Sequence, residues 1–124
     1  MCLAPPDQIL SWTGDLPVWR PTPTTRRATI IVSIVIYTFA PEDADYAGEL
    51  LRELRDTTRL EPGCLCYDVS RAIDSPHIFV LYEEYVDQAA LDTHMASEVF
   101  DRLGINGIRK LAKDRIHQKC LPLD

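Results

Sequence analysis

His94 is the residue of this chain best suited to chemistry near neutral pH. It stands three residues after Leu91 and one before Met95, at the margin of an apolar helical stripe, so its ring can reach a space between helix and sheet. An imidazole with an ordinary pKa of ~6.5 suits a general base; the plainer reading is a half-exposed helix histidine with a structural hydrogen bond. Tyr67 and Tyr82 come next, because each shares a strand face with aliphatic residues. A buried phenol needs a partner for its hydroxyl, which a substrate oxygen can provide as well as backbone or water can. Glu84 shares strand parity with Tyr82 and can orient a histidine or polarise a substrate, unless it is simply a solvated carboxylate at the strand end. Leu91, Met95, Phe79 and Phe100 are the apolar residues expected to line the substrate space. His77 and His117 read as edge or surface histidines, and no pair of histidines has metal-site spacing with a third ligand, so no metal is expected. Cys64-x-Cys66 on a regular strand puts both side chains on one face, which suits buried thiols better than a zinc site. No glycine-rich phosphate loop, nucleophile elbow or Cys-His protease signature appears.

The elements that must position these residues follow from periodicity. Thr29–Phe39 is β-branched and almost continuously apolar, a strand buried on both faces. Pro41 halts it, and Glu42, Asp43 and Asp45 supply the negative charge that a helix N-terminus favours. Ala47, Leu50, Leu51, Leu54 and Thr58 form one stripe of an amphipathic helix, closed by Pro62-Gly63. A second strand covers Cys64–Ser70 and a third His77–Val86, joined by a turn through Asp74, Ser75 and Pro76. Asp87 is placed to cap a helix presenting Leu91, Met95, Val99 and Leu103. Asn106-Gly107 is a turn signal, and Asp114–Pro122 reads as the last strand. The order β-α-β-β-α-β is the ferredoxin-like split arrangement: an α+β fold with a four-stranded antiparallel sheet and two helices on one face. Two helices cover one face only, while the first and third strands are apolar on both. The sheet of a second copy is the economical cover, which predicts a face-to-face homodimer.

The chain of 124 residues suits one domain, residues 29–124, preceded by an arm of residues 1–28. The arm holds five of the nine prolines and both tryptophans, Trp12 and Trp19. Such proline density forbids a regular helix or central strand, and the apolar content predicts an extended segment docked on a surface. A net charge of −6 without a basic cluster argues against nucleic acid. The apolar run Ile30–Ile36 is too short for a bilayer and no secretory signal is visible, so a cytoplasmic protein is expected, with no membrane partner and no disulfide framework.

The runs GCLCYDV and FVLYEEYVDQAALDTHMAS on this architecture resemble the antibiotic biosynthesis monooxygenase family of dimeric α+β barrels. The matching motifs are the Glu61–Cys64 turn, the Pro76–Glu83 strand and the Ala89–Ser97 helix. The resemblance implies a small enzyme that oxidises phenolic, quinol-like or polyketide-type compounds with O2 and without flavin, haem or metal. It raises His94 to the expected base, with Tyr67 and Tyr82 positioning the substrate. Relatives of the family are isomerases, cyclases, decarboxylases or haem-degrading proteins. His94 and Gly104 stand where the last group carries a tryptophan and a haem ligand, so haem degradation is not expected. A non-oxidative isomerase, cyclase or decarboxylase is the alternative enzyme, and a non-catalytic binding protein the alternative outside enzymes.

Overall fold

The computed structural model describes the backbone of residues 8–13 and 16–21 and the whole of residues 29–123. Within the arm, β1 (Gln8–Thr13) and β2 (Leu16–Pro21) pair antiparallel as a two-stranded sheet of their own. Pro17 faces Trp12 and Pro21 faces Gln8, so the two prolines sit on the same class of antiparallel pair. There a missing N–H can point to the open edge of a ribbon, which is how regular pairing survives this proline density. The expected docking of the tryptophan side chains falls outside the described residues.

The rest runs β3 (Ile31–Thr38), α1 (Ala44–Thr58), β4 (Cys64–Arg71), β5 (Ile78–Tyr85), α2 (Gln88–Met95), a π-helical segment Phe100–Ile108, α3 (Arg109–Leu111) and β6 (Asp114–Cys120). The second sheet has the order β4-β5-β3-β6 with every neighbour antiparallel, the ferredoxin-like topology. Helix α1 starts after a 3₁₀ turn at Pro41–Asp43 and buries Ala44, Ala47, Leu51, Leu54 and Thr58. That stripe packs on Val35, Tyr37, Phe39, Tyr67, Phe79 and Leu81 of the sheet, with Leu103 and Ile108 closing the layer. Among the described residues no helix is long and apolar enough to cross a membrane.

Odd-numbered residues of β3, β5 and β6 face the helices; Ile34, Ile36, Ile78 and Val80 face away and stay half-buried. Tyr82 and Ile116 lie on that second face too, 37% and 51% exposed.

Two local expectations are corrected. A register shift sets Cys64 opposite Tyr85 but Cys66 opposite Glu84, so the bulge sends the two cysteines to opposite faces. Cys64 is a free thiol against the core, whereas Cys66 is disulfide-bonded, against the reading as two thiols. Asn106-Gly107 makes no turn but lies inside the π-helical segment. A Cβ on Gly107 would come within 3.3 Å of a Leu50 methyl, so close helix packing outweighs the turn propensity there.

Gly63 carries a constraint of the same kind. A Cβ there would fall 2.4 Å from Ala90 Cβ, and the Gly63 carbonyl accepts a hydrogen bond from Val86 N at 2.9 Å. Only a glycine lets the turn before β4 lie directly on α2. Gly63→Ala is expected to cost about 1–3 kcal/mol in urea unfolding. Adding Ala90→Gly should recover part of the loss despite the poorer helix propensity. A double variant no more stable than the single one would refute this account.

Candidate active site

Helix α2 is capped by Asp87, whose carboxylate accepts from Ala90 N at 2.8 Å. It stops at Met95 because Ser97 intervenes: its hydroxyl donates to the His94 carbonyl at 2.7 Å and accepts from Phe100 N at 3.1 Å, starting the next helical segment. The break turns His94 inward, 2% exposed, and leaves Met95 46% exposed. The imidazole is ringed by Phe100, Tyr85 and Tyr67, with centroids 5.0, 5.4 and 6.1 Å away.

Its Nδ1 lies 3.2 and 3.3 Å from the two carboxylate oxygens of Glu61, two residues before Gly63. An ionised carboxylate can only accept, so Nδ1 carries the proton and Nε2 keeps its lone pair. No hydrogen bond to Nε2 forms among the described residues. Burial pushes the His94 pKa below its ordinary value while the Glu61 charge and hydrogen bond pull the other way. The ring is therefore neutral and basic at Nε2 near pH 7.

On the opposing sheet, Glu83 is 5% exposed and accepts a hydrogen bond from the Tyr85 hydroxyl at 2.6 Å. Burial raises its carboxyl to a pKa of about 7, against the Tyr85 hydrogen bond and the attraction of Arg115 and Arg109. Desolvation also lifts the Tyr67 hydroxyl well above the ordinary tyrosine value, so Tyr67 is a neutral donor. Ser33 Oγ and His117 Nε2 lie 3.0 Å apart at the β6 side. Together Tyr67, Glu83, Leu91, His94, Met95 and Phe100, with Ser33, Arg109, Arg115 and His117, enclose about 30 Å³, room for a water or two rather than an aromatic ring. Ligand entry therefore requires wall side chains to move, and exposed Met95 is the most mobile of them by its chemistry. Gly104 leaves space for the Phe100 ring, 3.0 Å from where a Cβ would stand.

Of the residues expected from sequence, the structure brings together His94, Tyr67, Leu91, Met95 and Phe100. It does not bring in Tyr82 and Glu84, which lie on the sheet face away from the helices. Phe79 points to the helix side but packs under α1 and beneath the Arg71 guanidinium, away from this cavity. Glu61, Glu83, Tyr85, Arg109 and Arg115 were missed, while His117, read as a surface residue, is exposed and also borders the cavity. The one available signal was parity: Glu83 and Tyr85 share a face with Phe79 and Leu81. Among the described residues, no three His, Cys, Asp or Glu side chains converge to hold a metal ion.

A ferredoxin-like sheet with a cavity between its second helix and the sheet defines a class of small α+β proteins, and comparison with known proteins narrows it. The family model described as antibiotic biosynthesis monooxygenase matches residues 29–103. A crystal structure titled antibiotic biosynthesis monooxygenase is 36% identical, covering 76% of this chain and 99% of that one with a TM-score of 0.71. PA3566 from Pseudomonas aeruginosa is 31% identical, with coverages of 79% and 98% and a TM-score of 0.73. Rv0793 from Mycobacterium tuberculosis is 26% identical, with coverages of 77% and 97% and a TM-score of 0.72. Comparison with curated proteins finds no match. The chain belongs to the antibiotic biosynthesis monooxygenase family.

The two buried groups make opposite contributions to stability. Glu83 has its folded pKa raised from 4.5 to about 7, so its contribution is full below pH 4.5 and is lost as pH rises towards 7. His94 has a lowered folded pKa, so its contribution is lost as pH falls below 6.5. In the difference between the wild type and Glu83→Gln the histidine cancels. Urea unfolding should show the wild type losing on the order of 3 kcal/mol relative to Glu83→Gln between about pH 4.5 and 7, then levelling. A pH-independent difference would contradict the raised pKa.

Proposed function

We propose that the protein is a monooxygenase that uses O2, and no cofactor, on a small hydroxylated aromatic, quinol-like or polyketide-type metabolite. The observation that carries the reading is His94: a buried imidazole with Nδ1 committed to Glu61 and Nε2 left for a ligand, in a cavity otherwise mostly aromatic and aliphatic. Family membership supports the reaction class.

Nε2 takes the proton of the substrate hydroxyl, and the Glu61 carboxylate stabilises the imidazolium that forms. The electron-rich anion passes one electron to O2, and the substrate radical and superoxide combine in a C–O bond. The outer peroxide oxygen is protonated and leaves as water as the O–O bond breaks and the carbon that carries it loses its hydrogen, so the ring carbon becomes a carbonyl. One oxygen atom stays on the substrate, the other departs as water, and the substrate's O–H bond and one C–H bond supply the four electrons. Glu83, about half protonated near neutrality, is suited to deliver the proton to the leaving oxygen. Tyr67 donates to the substrate oxygen from the sheet side.

One observation favours a second reading on the same scaffold. A neutral base on α2 and a protonated carboxyl on β5 are also what a non-oxidative isomerase needs to move a proton between two carbons.

We further propose that the chain works as a homodimer through the sheet face bearing Ile34, Ile36, Val80, Tyr82 and Ile116. Exposure of Tyr82 and Ile116 beside half-buried aliphatic residues supports it. Val80→Glu should shift the sedimenting species from dimer to monomer; an unchanged mass would remove this interface.

Oxygen uptake should follow when protein stripped of metal by a chelator meets a panel of quinols and anthrones. His94→Ala should slow that uptake by about 10²–10⁴-fold. Full turnover by His94→Ala would overturn the assignment of the base. Product formed without oxygen uptake would establish the isomerase reading instead.

A further inference from the structure

Two guanidinium groups share the cavity wall with His94, and neither has an ionic partner among the described residues. Arg109, half-buried, opens α3 directly after the π-helical segment, and Arg115, exposed to solvent, stands on β6 opposite Tyr37, on the helix side of the sheet. The ion pairs among the described residues use Arg55, Arg59, Arg71, His94 and Arg102, and none involves Arg109 or Arg115. Arg109 lies over the Phe100 ring, 5.2 Å from its centroid, which fixes the plane of its guanidinium. Its Nε is buried and has no acceptor.

A buried charged donor without an acceptor is costly, and folded proteins rarely keep one unless something supplies the acceptor. Nearby groups do not. Glu83 feels both arginines, yet its carboxyl bonds the Tyr85 hydroxyl instead. His117 pairs with Ser33, and Lys119, the next residue on that face of β6, reaches Gln88. The cavity wall thus carries His94 and Glu83 together with two guanidinium groups, one of which has a buried N–H without an acceptor. In a chain of net charge −6, such a local cluster of positive charge stands apart from its surroundings.

We propose that Arg109 and Arg115 form an anion subsite that selects aromatic substrates carrying a carboxylate in addition to the hydroxyl group that His94 deprotonates. A planar carboxylate matches the guanidinium fork and offers Arg109 the acceptor that its Nε lacks. The inference rests on the cavity being the substrate site, as in the proposed function, and it names the substrate class. It places the carboxylate at the β6 side and the reacting hydroxyl at α2, so the ring spans the space that opens when Met95 moves.

The test is equilibrium binding under nitrogen, which needs no turnover. The probes are 2,5-dihydroxybenzoate and 1,4-dihydroxybenzene, a pair differing only in the carboxylate. The wild type should bind the carboxylate about tenfold or more tightly than its uncharged partner. Arg109→Gln and Arg115→Gln should each weaken carboxylate binding about tenfold and leave the uncharged ligand within about twofold. Arg109→Lys, which keeps the charge but loses the fork, should fall in between. Equal affinities in the wild type, or no carboxylate binding up to millimolar concentration, overturn the subsite; neither result depends on a variant folding. Selective binding without oxygen uptake in air would leave the subsite standing and remove the oxidative reaction.

Discussion

A histidine ring 2% exposed among Tyr67, Tyr85 and Phe100 needs a partner for its polar N–H, and among the described residues Glu61 supplies it. That hydrogen bond ties two parts of the chain together over the sheet: the turn leaving α1 and helix α2. It forms because Gly63 has no side chain, so the turn can lie against Ala90 close enough for a carboxylate to reach the ring. Remove the close approach and Glu61 is one more surface acid, while His94 becomes a buried polar group without a mate. The packing constraint at one glycine is thereby converted into the tautomer, and so the basicity, of the imidazole.

The sheet answers that arrangement with its own buried polar pair. Glu83 and Tyr85 are two residues apart on β5, so they share the helix-facing side, and their hydrogen bond satisfies both where water cannot. Desolvation outweighs the hydrogen bond and the two arginines in setting the Glu83 proton affinity. Stability is sacrificed here: a carboxyl in the centre of a sheet gives up burial energy that a leucine would have contributed. Such a residue, beside a cavity and facing a neutral histidine, marks a site where proton transfer outweighs packing.

Much of the fold was legible in the sequence because its signals are local. The α1 stripe, the Asp87 cap and the strand sequence of the sheet depend on periodicity and on residue types within one or two turns. The choice between Tyr82 and Glu83 was not legible, because both faces of β5 are apolar on one side or the other of that pair. Strand parity tells which residues share a face, not which face meets the helices. The bulge at Cys64 and Cys66, the helix break at Ser97 and the π-helical segment through Gly104 and Gly107 are all answers to tertiary packing. Glu61 was hidden for the same reason: its partner is 33 residues away, and the contact exists only once α2 has docked.

The position of the proton at rest follows from these shifts. Between the lowered pKa of His94 and about pH 7, the imidazole is unprotonated while Glu83 holds its proton, so an empty base on the helix faces a loaded acid on the sheet. Neither group is charged in that state, which is the one a small, largely buried cavity of about 30 Å³ tolerates best. When a substrate hydroxyl gives its proton to Nε2, two opposite charges appear together, the imidazolium and the substrate anion. Glu61 faces the first and the guanidinium groups of Arg109 and Arg115 lie on the wall around the second. The preorganised charges therefore act on the ionised pair and gain little from the neutral one, which lowers the cost of making the anion that must react.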